Sequence, residues 1–74
     1  MSLFKKKKET PAIIYSLEAR LQEAKDKKEL SFYYPLWEHE VEVVKGWALR
    51  KHVMVEIDHI SDKNIFYKFW GYKL

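Results

Sequence analysis

Pro35 falls inside the most distinctive stretch of this 74-residue chain, Glu29–Val44 (ELSFYYPLWEHEVEVV), and forces it to be read as two elements. Proline has no amide proton to give a helix, and it pushes the residue before it toward extended backbone. Leu30 to Tyr34 therefore reads as a short strand, with Leu30, Phe32 and Tyr34 on one face and Ser31 and Tyr33 on the other. Pro35 is expected to end this strand and to serve as an early residue of the next helix.

Residues 36 to about 51 fit two patterns. As a helix they gather Leu36, Trp37, Val41, Val43, Val44, Trp47 and Ala48 in one wide arc, with Glu38, Glu42 and Lys45 outside it. As a strand, Glu38 to Val43 alternates equally well, and three valines favour it. Only the helix explains why the pattern continues past Gly46 into Trp47 and Ala48, so a helix is expected.

An earlier helix has clearer marks. Thr10 suits an N-cap and Pro11 the first helical position, while Ile13, Ile14, Leu17, Leu21 and Ala24 recur at helical spacing. Lys25, Lys27 and Lys28 then fall in the last turn, where positive charge suits the helix dipole. The chain closes with two β-rich runs, Val53 to Ile60 and Ile65 to Tyr72, around the polar turn Ser61-Asp62-Lys63-Asn64. Pairing Ile60 with Ile65 puts Val53, Val55, Ile57, Phe66, Trp70 and Tyr72 under the helices. The same pairing leaves Met54, Glu56, Asp58, Tyr67 and Phe69 on the outer face. The expected fold is one α+β domain over residues 10–74, ordered α-β-α-β-β, with a three-stranded antiparallel sheet and two helices on one of its faces. Residues 1–9 are expected to form a flexible basic arm around Lys5 to Lys8.

So short a chain buries a modest core, which leaves dimerisation open as a further source of stability. Without cysteine it has neither disulfides nor thiol chemistry. With no signal peptide and no apolar run of about 18 residues, it reads as a soluble cytoplasmic protein that does not meet a membrane. The net charge of +3 is unevenly spread: residues 1–28 hold eight Lys/Arg against four Asp/Glu, 29–62 three against seven, and 63–74 three against none. A uniformly basic nucleic-acid binder would not have that acidic middle.

The chain lacks the marks of catalysis. Gly46 and Gly71 are isolated, so there is no phosphate-cradling loop, and no serine sits in a nucleophile elbow. His39, His52 and His59 lack metal-site spacing, so neither a metal nor a cofactor is expected. The glutamates at 38, 40 and 42 read as a solvated face. A binding domain remains, in one of two forms. Phe66, Tyr67, Phe69, Trp70 and Tyr72, interleaved with Lys68 and Lys73, could stack on single-stranded nucleic acid, although half or more of them are needed for a core. Alternatively, acidic and aromatic surfaces could meet a protein partner.

Glu29-Leu30-Ser31-Phe32-Tyr33 resembles the peptide with which bacterial replication proteins bind the DNA polymerase sliding clamp, commonly Gln-Leu-Ser/Asp-Leu-Phe. Leu30 and Ser31 match it; Glu29 replaces the glutamine, Phe32 the leucine and Tyr33 the final phenylalanine. Ser2-Leu3-Phe4 resembles the end of the same motif. In size, absence of cysteine and richness in lysine and aromatics, the whole chain is similar to small phage polypeptides that inhibit the clamp, of the staphylococcal-phage type. The resemblance implies a non-enzymatic inhibitor that arrests host DNA replication from the host cytoplasm. Two modes follow: Leu30, Phe32 and Tyr33 block the peptide groove, or Glu38, Glu42, Glu56 and Asp58 mimic DNA in the positively charged channel. Tyr67 and Phe69, on the expected outer face, complete the candidate contacts.

Overall fold

The computed structural model describes residues 10–74, and the expected arm, with Ser2-Leu3-Phe4 and Lys5 to Lys8, lies outside the described residues. The elements are α1 (Ala12–Asp26), β1 (Ser31–Leu36), a 3-10 turn (Glu38–Glu40) leading into α2 (Val41–Lys51), β2 (Met54–Ser61) and β3 (Asn64–Trp70). The strands form one antiparallel sheet in the order β1-β3-β2. This is the α-β-α-β-β arrangement of an α+β domain.

α1 buries Ile14, Leu17, Leu21 and Ala24, the arc its spacing predicts. Its N-cap is Pro11, one residue later than expected, and the Pro11 carbonyl accepts the Ile14 amide at 3.0 Å. Of the ambiguous stretch after Pro35, Leu36 belongs to β1, Glu38–Glu40 form the 3-10 turn and Val41–Lys51 is α-helical with Val44, Trp47 and Ala48 buried, while Trp37 and Val43, expected in the same arc, are exposed. Its start is held by Glu40: the Trp37 amide donates to the Glu40 carboxylate, and the Glu40 amide to the Trp37 carbonyl, both at 2.8 Å.

Both helices end in a Schellman closure. After α1 the Glu29 amide reaches back to Ala24 O and the Lys28 amide to Lys25 O; after α2, Val53 reaches Ala48 O and His52 reaches Leu49 O. Lys28 and His52 hold the left-handed position, with φ of 58° and 61°.

β1 departs from expectation. It begins at Ser31, leaving Leu30 outside it and 75% exposed, and runs through Pro35 to Leu36. A proline is tolerated there because β1 is an edge strand. Phe32, Tyr34 and Leu36 face the helices, and Ser31, Tyr33 and Pro35 face away.

The larger correction concerns the hairpin. Ile60 does pair with Ile65, around a two-residue turn, Asp62-Lys63, with both residues at positive φ. The register then shifts: Ile57 lies opposite Tyr67 and His59 opposite Phe66, so Asp58 is an extra residue in β2. Beyond this bulge the alternation of β2 is reversed relative to β3. Val55 shares the helix side with Tyr67 and Phe69, while Met54 and Glu56 share the outer side with Phe66, Lys68 and Trp70. Tyr67 and Phe69, expected outside, are 7% and 0% exposed; Phe66 and Trp70, expected under the helices, are not in the core.

Tyr72 is buried as expected, for a local reason: Gly71 adopts φ +86° and turns the chain back under the helices. There the Tyr72 hydroxyl donates to the Glu29 carbonyl at 2.7 Å. Phe32 stacks on Phe69 at 4.9 Å and 7°, and Trp47 meets Phe69 edge-on at 6.4 Å.

An alanine Cβ at position 71 would lie 2.8 Å from Met54 Cγ on a backbone that side chains rarely adopt. Gly71→Ala is expected to destabilise the domain by about 1–3 kcal/mol. In thermal unfolding this appears as a drop of several degrees, and Met54→Ala in the same chain should recover only the part due to crowding.

Candidate functional site

The helices cover one side of the sheet and leave the other open. On the open side β3 presents Phe66, Lys68 and Trp70, β1 presents Tyr33 and Pro35 beside them, and β2 presents Met54, Glu56 and His59. His59 stacks on Phe66 at 4.9 Å and 6°, and Tyr33 leans toward His59 at 6.1 Å. The Lys68 ammonium lies 5.7 Å from the Trp70 ring centre, and Glu56 is directly opposite Lys68 in the register. This face therefore has three aromatic rings, a thioether and an imidazole around one pair of opposite charges.

The nine residues expected to touch a partner are divided between surface and core. Tyr33, Glu56 and Asp58 lie on the open face or at its β2 edge, Asp58 with its carboxylate 2.6 Å from His59 Nδ1. Glu38 and Glu42 are exposed at the start of α2, away from the open face, and Leu30 is exposed before β1. Phe32, Tyr67 and Phe69 are core residues and are unavailable to a partner while the domain is folded. Phe66 and Trp70 take the outward place expected of Tyr67 and Phe69; sequence reasoning lost them through the bulge at Asp58, which no glycine announces.

Charge is separated along the strand axis. The helices lie with like ends together: Pro11, Ala12 and Ile13 of the first share a depression with His39, Glu40 and Val43, while Lys25 shares a cleft with Lys51 and His52. The end where β1 and the hairpin finish carries Glu38, Glu40, Glu42, Asp58 and Asp62, with Lys63 of the turn as a cation among them. At the opposite end, beside Trp70 and Met54, stand Lys25, Lys51, His52 and Lys73. Nothing in the spacing of residues 25, 51, 52 and 73 predicts that they meet.

Glu18 joins that basic end to the core. Its carboxylate accepts the Trp47 indole N–H at 3.0 Å and pairs with Lys51 at 3.2 Å. The Trp47 hydrogen bond, aided by Lys51 and opposed by desolvation, holds the Glu18 carboxyl below the usual carboxylate range.

Among the described residues no group of three His, Cys, Asp or Glu is placed to hold a metal ion, and no helix is long and apolar enough to cross a membrane. Comparison with known proteins finds no matching family model, no matching curated protein and no matching solved structure.

The lowered pKa of Glu18 has a pH consequence. A carboxylate bound more tightly to its proton when unfolded than when folded stabilises the fold above its unfolded pKa, and this contribution is lost as pH falls through the lower folded value. Melting temperature should therefore fall as pH drops below about 5, and Glu18→Gln should make that fall shallower. At neutral pH the half-exposed pair contributes little, so the same substitution should cost about 1 kcal/mol or less.

Proposed function

We propose that this chain is a non-enzymatic inhibitor of the phage type, which binds the sliding clamp of the host DNA polymerase and arrests replication by occupying the clamp's DNA channel. The observation that carries this reading is the collection of carboxylates from the α2 start and the hairpin at one end of the molecule. A compact body that concentrates negative charge on one side complements a channel lined with cations. Glu38 and Glu42 lie on the helix layer, and Glu56 and Asp58 on β2, so together they wrap from one layer to the other.

Burial weighs against the groove mode. For the Leu30-Phe32-Tyr33 segment to enter a partner's groove, Phe32 would have to leave its stack on Phe69, at a cost of about 3–5 kcal/mol if comparable to truncating a core phenylalanine. Leu30 and Tyr33 are exposed and can still contribute at the rim.

The test is binding of the full chain to purified bacterial clamp in a surface-resonance assay, at several salt concentrations. Replacing Glu38, Glu42 and Glu56 with glutamine and Asp58 with asparagine should weaken binding by on the order of ten-fold or more and flatten its salt dependence. Leu30→Ala should change affinity less than two-fold. A clamp that does not bind the unaltered chain, or binds the charge-neutralised chain equally well, refutes the proposal.

A further inference from the structure

We propose that the chain also carries a site for single-stranded nucleic acid, in which phosphates enter the basic cleft and bases stack along the open sheet face. The cleft has a volume of about 500 Å³ and is lined by Lys25, Lys51, His52, Gly71 and Lys73. Lys25 and Lys51, in the last turns of the two helices, have an obvious alternative role as caps for the last carbonyls. Here much of that role is filled by backbone. Ala24, Lys25, Ala48 and Leu49 carbonyls already accept amides from the residues that follow each helix. Lys51 is paired with Glu18, but among the described residues no carboxylate lies within 4.0 Å of the Lys25 or Lys73 ammonium. The cleft therefore has an excess of positive charge that the fold does not consume.

Geometry ties the cleft to the rings. Gly71 lines it, and Trp70, the preceding residue, lies on the open face with Lys68 beside its ring. From Trp70 the face continues to Tyr33, opposite Lys68, and then to Phe66 with His59 stacked on it. Rows of a strand face are about 7 Å apart, so an extended strand leaving the cleft meets a ring at each row. Of the carboxylates beside this path, Glu56 lies opposite Lys68 in the register and Asp58, at the β2 edge, is held by His59 at 2.6 Å. Rings that every base can stack on, next to cations that hold phosphate, are the recognition chemistry of single strands. A duplex, with its base faces already stacked, can use only the cations.

Of the carboxylates assigned to the clamp, Glu56 alone lies in the middle of this face, and the substitutions used here leave all four unaltered, so the two proposals fail independently. Fluorescence anisotropy of a labelled 15-nucleotide oligothymidine with the full chain at low salt provides the test. The unaltered chain should bind saturably, and more tightly than it binds a duplex of equal length. Trp70→Ala should weaken binding about ten-fold, with Trp70→Phe retaining most of it. The Lys25→Gln, Lys73→Gln pair should reduce the slope of log affinity against log salt by about 1.4. Circular dichroism melts identify any variant that is unfolded, and Trp70→Phe keeps the test informative should Trp70→Ala be one. Absence of saturable binding, equal affinity for duplex, or binding indifferent to all these changes overturns the proposal; indifference would mean that Lys5 to Lys8 alone hold the oligonucleotide.

Discussion

The stack of Phe32 on Phe69 is the contact around which the domain closes. It joins the edge strand β1 to the central strand β3 on the helix side, at the register position where Val55 of β2 completes the row. Trp47 descends on it from α2, Tyr72 approaches from the chain end, and the Arg20 guanidinium lies over the Phe32 ring at 4.9 Å. Every element thus sends a side chain to this row or its neighbours. In a chain this small the hydrophobic gain is concentrated in a few large rings, because too few residues exist to build a second layer.

With the aromatic residues divided between two faces of one sheet, composition alone could not say which of them face outward and which build the core. The distinction is positional: Phe69 and Trp70 are adjacent, yet one is sealed in the core and the other borders a basic cleft. The same division orders the charges. Because both helices start at one end and finish at the other, their dipoles add rather than cancel, and the lysines that follow them strengthen the positive end while glutamates occupy the start of α2. The two ends of the molecule therefore differ in the sign of the charge they carry.

Local features were legible where their causes are local. The spacing of Ile14, Leu17, Leu21 and Ala24 is itself the helix face, and the persistence of the apolar pattern to Ala48 distinguished helix from strand for α2. Pro35 was misread because its meaning depends on strand order: at an edge the missing amide costs nothing, in the middle it would have ended the strand. Of the candidate contacts, Tyr33, Glu56 and Asp58 could be placed from alternation on their own strands, whereas Tyr67 and Phe69 depended on counting across the hairpin. The basic cleft was invisible because its cations come from three segments that only tertiary packing unites.

That dependence on counting sets how the chain can vary. β2 is bulged at Asp58, so which residues of its first half face inward depends on that residue being set out of the ladder as much as on residue type. Substitutions along β2 act one side chain at a time. Loss of Asp58 would leave a regular ladder with the same partners, Ile57 opposite Tyr67 and His59 opposite Phe66, whereas a straight strand that kept Asp58 would turn over the whole segment Met54–Ile57, sending Glu56 toward Phe69 and Val55 toward solvent. The strand thus holds one residue more than its ladder needs, and a deletion at Asp58 should be better tolerated than any change that straightens the strand with all its residues kept.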